Sequence, residues 1–147
     1  MSAQKKHLLS KLRGQSILVI DTQKDTYQHL SELFEPSVKV LFSDDQNDSI
    51  SIIQDKKPNL VFINCDSLIG AHTRFDGYEI SQAIKQLEAF SLIPSIPVIL
   101  YAKVNSILNK EKFRMSSADS LMISPFNEQI IIENLSHLPM YKFLTEQ

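Results

Sequence analysis

The run Pro58-Asn59-Leu60-Val61-Phe62-Ile63-Asn64 constrains the fold more than any other stretch of this chain. Its four central residues are all large and apolar, with no polar residue alternating between them. A strand of that kind must be covered on both faces, which is the condition of a central strand in a parallel sheet. Four companion segments have a similar character: residues 16–21, 38–42, 96–101 and 121–123. Between them lie segments with helical spacing. Tyr27, Leu30, Leu33 and Phe34 form one stripe, and Ile80, Ala83, Ile84 and Leu87 repeat at i, i+3, i+4 and i+7. Ile50 and Ile53 mark a short helix over 49–55 after the polar loop 43–48, and Ile131, Leu135 and Leu138 mark a last one. The weakest stripe falls over 105–115. Strand and helix alternating five times predict an α/β sandwich, a five-stranded parallel sheet of order 2-1-3-4-5 with helices on both faces.

Local signals place several boundaries. Asp25 followed by Gln28 reads as a capping box opening the first of these helices, and Pro36 ends it. Asn127 reads as the cap of the last. Ahead of the alternating region, residues 1–14 form a separate basic extension: Lys5, Lys6, His7, Lys11 and Arg13 surround Leu8, Leu9 and Leu12. Leu8 and Leu12 share a helical edge, so this segment reads as a helix with a basic back, packed on the domain or offered to a partner or lipid surface. The expected division is an extension over 1–14, one domain over 15–138 and a tail over 139–147.

Composition excludes several classes. At 147 residues, 43% apolar and 22% charged, the chain suits one globular core. A net charge of −2 gives no polyanion-binding signature, so no nucleic acid is expected. No apolar run approaches a membrane span, and the N-terminal lysines lack the apolar stretch of a secretory signal. The single cysteine, Cys65, cannot make an internal disulfide and suits a cytoplasmic setting. The four histidines are scattered without ligand spacing, so no metal site is expected.

Strands at these intervals, the segment Phe75-Asp76-Gly77-Tyr78-Glu79-Ile80 and the stretch Ala118-Asp119…Ser124-Pro125-Phe126 together resemble the receiver domain of bacterial two-component response regulators. The resemblance spans residues 15–138. In that family a carboxylate ending the third strand accepts a phosphoryl group. Acids after the first strand help hold magnesium, and a hydroxyl and a lysine after the fourth and fifth strands bind phosphoryl oxygens. The resemblance implies that these roles fall on Asn64 for the nucleophile and on Asp21 and Thr22 for the acidic pair. It likewise implies Ala102 for the hydroxyl, Ser124 for the lysine and Leu121 for an aromatic switch residue. A register shift of one would offer Tyr101 in place of Ala102. It also implies a cis Ser124–Pro125 peptide.

Each departure removes part of the reaction. A neutral amide cannot act as the anionic nucleophile. One acid with a few carbonyls is a poor magnesium cage, and losing lysine and hydroxyl removes the groups that stabilise transferred charge. The expectation is a degenerate pseudo-receiver: not an enzyme, without cofactor, binding other signalling proteins such as a histidine kinase, another regulator or an output protein. Lys103, Lys110, Lys112 and Arg114 are the expected contacts beside Leu121, and a homodimer is compatible with them. Two alternatives stand beside it: an atypical phospho-acceptor using Asp66, and a small-ligand sensor using the remodelled crevice. The loop 65–76 is longer than the family pattern and carries Leu68, Ile69, His72 and Arg74 as a surface insertion, lid or docking loop.

Overall fold

The computed structural model describes residues 3–66, 76–104 and 106–145. The expected 65–76 loop therefore lies largely outside the described residues. Five parallel strands, β1 (Ser16–Ile20), β2 (Lys39–Ser43), β3 (Leu60–Asn64), β4 (Val98–Lys103) and β5 (Ser120–Ser124), form one sheet of order β2-β1-β3-β4-β5. Six helices accompany them: α1 (Ala3–Leu12), α2 (Asp25–Phe34), α3 (Gln46–Lys56), α4 (Gly77–Ala89), α5 (Lys110–Ser116) and α6 (Glu128–Ser136). A 3₁₀ segment, Pro139–Leu144, follows. In register, Ile17 faces Leu60, Asn64 faces Tyr101 and Lys103 faces Ser124.

Alternation along the strands builds two cores. Ile17, Val19, Phe62, Ile99 and Tyr101 point into one cluster with α2 and α6, and Leu18, Ile20, Val61, Ile63, Leu100 and Ala102 into another with α3 and α4. The segments outside 15–138 join the first cluster. Leu8 and Leu12 of α1 and Tyr141 and Leu144 of the 3₁₀ segment are buried there. The apolar edge of α1 thus faces inward, leaving its basic residues Lys6, Lys11 and Arg13 exposed. Burial pushes the Tyr141 phenol up to about 12.

Three local expectations need correction. Asp25 does not cap α2: it is the first helical residue, and the cap position falls on Lys24 without a side-chain bond. A carboxylate in the first turn still complements the helix dipole. The third helix begins at Gln46, because Asp45 accepts the Asp48 N–H as its cap and draws the polar stretch into the helix. The weak region 105–115 holds a helix of seven residues, α5, capped by Asn109. The Asn127 cap of α6 and the cis Ser124–Pro125 peptide are present, the latter accompanied by a second cis bond at Glu35–Pro36.

Candidate functional site

Residue 21 directly after β1, residue 64 at the end of β3 and residue 101 within β4 sit on three adjacent strands and share one face of the sheet, because side chains alternate with a period of two. Their side chains meet. The Asp21 carboxylate is 2% exposed. One of its oxygens accepts from the Tyr101 hydroxyl at 2.6 Å and the Asn64 amide at 3.0 Å. The other accepts from the Gln23 N–H at 2.9 Å. Three donors thus compensate the burial of this charge. Burial, and then the charge and hydrogen bond of Asp21, hold the Tyr101 phenol far above its ordinary range. The Tyr101 ring is locked edge-on against Phe126 at 5.9 Å.

Asn64 relays the arrangement outward. Its side-chain oxygen accepts the Asp66 N–H at 2.6 Å. The Asp66 carboxylate then crosses to the loop after β4, accepting from the Lys103 N–H at 2.7 Å and from the Ser106 hydroxyl. Carboxylate, amide and backbone form one chain of hydrogen bonds from the floor of the crevice to Lys103 at the end of β4 and Ser106 in the loop after it. Asp66→Ala should speed hydrogen exchange at the Lys103 amide at least tenfold while leaving that of Val61 unchanged. Equal exchange at Lys103 in both proteins would remove Asp66 as the tether.

Of the residues expected in this crevice, Thr22 is half-buried beside Asp21, and Ser124 is half-buried with its carbonyl accepting the Val104 N–H at 3.0 Å. Ala102 is fully buried but belongs to the opposite face of the sheet, so the hydroxyl that enters the crevice is that of Tyr101. Above Asn64, Asp76 caps α4 by accepting the Tyr78 and Glu79 N–H groups. Gly77 then lets the helix start against β3: a Cβ there would lie 2.1 Å from the Asn64 carbonyl oxygen.

No protein-family model matches the chain. It is 28% identical over 131 residues to protein PilG of Pseudomonas aeruginosa, a stretch covering 87% of this chain and 90% of that protein. The N-terminal domain of a response regulator/sensory box/GGDEF three-domain protein from Carboxydothermus hydrogenoformans superposes with a TM-score of 0.64. That match is at 18% identity over 81% of this chain and 89% of the other. Chemotaxis response regulator CheY4 of Vibrio cholerae gives 0.62 at 15% identity, covering 81% and 93%. The chain has the fold of response-regulator receiver domains.

The crevice does not suit a magnesium ion. Asp21 already receives donors on both oxygens, the neighbouring position holds Thr22, and both oxygens of Asp66 are engaged with the loop after β4. Cys65 is equally unsuited to nucleophilic work. It is buried, and burial pushes its thiol up, an effect only partly opposed by a hydrogen bond with Tyr78. Tyr78 in turn is pushed up to about 12, by burial first and then by its bond to Cys65.

The face around α5 is less basic in effect than its lysine count suggests. Lys112 is bound to Asp76 at 2.8 Å, a contact that raises its pKa, and Arg114 pairs with Glu111 one turn away. Lys103 and Lys110 are exposed. Leu121 is half-buried against the second cluster, with its carbonyl accepting from the Asn134 amide at 3.3 Å. What the cation count missed is apolar. Ile107 is fully exposed, and Val104 after β4, Met115 on α5 and Ile123 on edge strand β5 are exposed as well. Their exposure could have been suspected from the poor helical stripe over 105–115, since apolar residues off the stripe have no core to enter.

Proposed function

We propose that this receiver works without phosphoryl transfer, as a protein-interaction module of two-component-type signalling in the cytoplasm. The observation that carries the reading is the closed set of bonds on Asp21. Its carboxylate is satisfied by Asn64, Tyr101 and Gln23 from the chain itself, where the phosphoryl reaction needs an acid free for a cation beside an anionic nucleophile. Asp66 reaches from the end of β3 to the loop after β4 and holds that loop with its own charge. Recognition then rests on a fixed shape. The exposed apolar residues Val104, Ile107, Met115 and Ile123, flanked by Lys103 and Lys110, supply the contact for another signalling protein. On this reading the domain catalyses nothing and holds no cofactor.

Incubation with acetyl phosphate and magnesium, followed by intact-mass measurement, should give no phosphoryl adduct on the wild-type protein. An adduct that disappears in Asp66→Asn would overturn the proposal and establish Asp66 as an acceptor. An adduct that survives in Asp66→Asn but is lost in Asp21→Asn would overturn it equally, in favour of Asp21.

A further inference from the structure

The pole of the sheet opposite the crevice carries a trough that neither the phosphoryl chemistry nor the α5 face uses. Two cavities meet there and share Lys57. One, of about 340 Å³, is lined by residues 14–16 with Lys39, Lys56 and Asn59. The other, of about 720 Å³, is lined by residues 88–89 and 91–95 with Lys85. Because the strands lie in the order β2-β1-β3-β4, the trough passes the starting ends of four of them. Three strand spacings of ~4.8 Å span roughly 14 Å, the length of four or five residues in extended conformation.

Its charge is one-sided. Lys39, Lys56 and Lys57 are exposed, and among the described residues none of the three stands in an ion pair with a carboxylate. Arg13, also exposed, adjoins the trough at Gly14. The one carboxylate among the lining residues, Glu88, is held by Lys85 at 3.2 Å and by the Ser95 hydroxyl at 2.7 Å. Lys56 and Lys57 also complement the C-terminal dipole of α3, but that accounts for neither Lys39 nor the apolar end of the trough. At that end Leu92 is 63% exposed, beside Ser91 in the left-handed region at φ 59°. A cationic channel ending on a bare apolar side chain has the layout of a peptide site, with charge for register and an apolar anchor for affinity.

We infer that this trough docks an extended acidic segment of a partner protein, its carboxylates on Lys39, Lys56 and Lys57 and an apolar residue against Leu92. The inference is independent of how the crevice behaves, and no outcome with a phosphodonor bears on it.

The probe is a labelled peptide with a run of glutamates, a glycine spacer and Phe-Leu at its end, followed by fluorescence anisotropy and by amide NMR shifts. Binding should weaken progressively with salt and fall about tenfold or more in the Lys39→Glu/Lys56→Glu double variant, with thermal melting confirming that the variant folds. Amide shifts should gather at Gly14, Asn59 and Leu92. A peptide with glutamines in place of the glutamates should bind much more weakly, and Leu92→Ser should weaken binding of the acidic one. Absence of binding, equal binding of the two peptides, or shifts confined to 104–108 would each overturn the inference. Inorganic tripolyphosphate moving the same amides while the peptide does not would overturn it too, in favour of a small-anion site.

Discussion

Gly77→Ala should destabilise the domain by about 3 kcal/mol, at the upper end of what overpacking costs. The added Cβ would stand 2.1 Å from the Asn64 carbonyl oxygen, 2.9 Å from its carbon and 3.0 Å from the Cys65 Cα. All three atoms are backbone, so no side chain can swing aside. Either α4 moves off β3 or the end of β3 moves, carrying Asn64 with it. Urea unfolding should show a lower midpoint with an unchanged slope. A midpoint within error of wild type would mean that the helix start is not pressed against the strand as described. The effect also reaches the crevice, because displacing Asn64 loosens its bonds to Asp21 and to the Asp66 N–H.

Tyr101→Phe should cost about 2 kcal/mol at neutral pH and less as the solution becomes alkaline. The neutral-pH loss comes from removing a 2.6 Å donor from a buried carboxylate. The pH dependence follows from the raised Tyr101 pKa. Below about pH 10 the phenol is protonated in both folded and unfolded chains, so its contribution is fully present. Above that, the unfolded chain releases a proton that the folded chain keeps. Wild-type stability therefore falls by about 1.4 kcal/mol per pH unit from this group. Phenylalanine has no proton to release. The wild-type and variant stabilities should converge toward about pH 12, with Tyr141 and Tyr78 contributing a decline common to both. Parallel stability-versus-pH curves for the two proteins would show that the phenol is not held in this way.

The double burial of β3 could be read from Leu60, Val61, Phe62 and Ile63, since an unbroken apolar strand has one comfortable place in an α/β sheet, whereas the strand order rested on the flavodoxin-like pattern that the receiver resemblance implies. The Asn127 cap was equally legible, because its signal is local. The crevice was legible only in part. Asp21 and Asn64 could be placed by counting from strand ends, but the choice between Tyr101 and Ala102 depends on which face each residue takes in β4. One step of register reverses that, and counting from Pro97 does not settle it. Asp66 bonds to Lys103 and Ser106, nearly forty residues away. Nothing local marks such a contact. The lysines of α5 were read as free charge because sequence shows a cation without showing the acid that a fold brings to it, as Asp76 is brought to Lys112.

The tether from Asp66 to the loop after β4 has a bearing on how a cell would govern such a protein. A setting held by an attached phosphoryl group can be erased by hydrolysis within the lifetime of the molecule. One held by a side chain of the polypeptide cannot be erased that way, so on the proposed reading its output is adjusted by how many copies are made and destroyed, or by competition among the proteins that bind it.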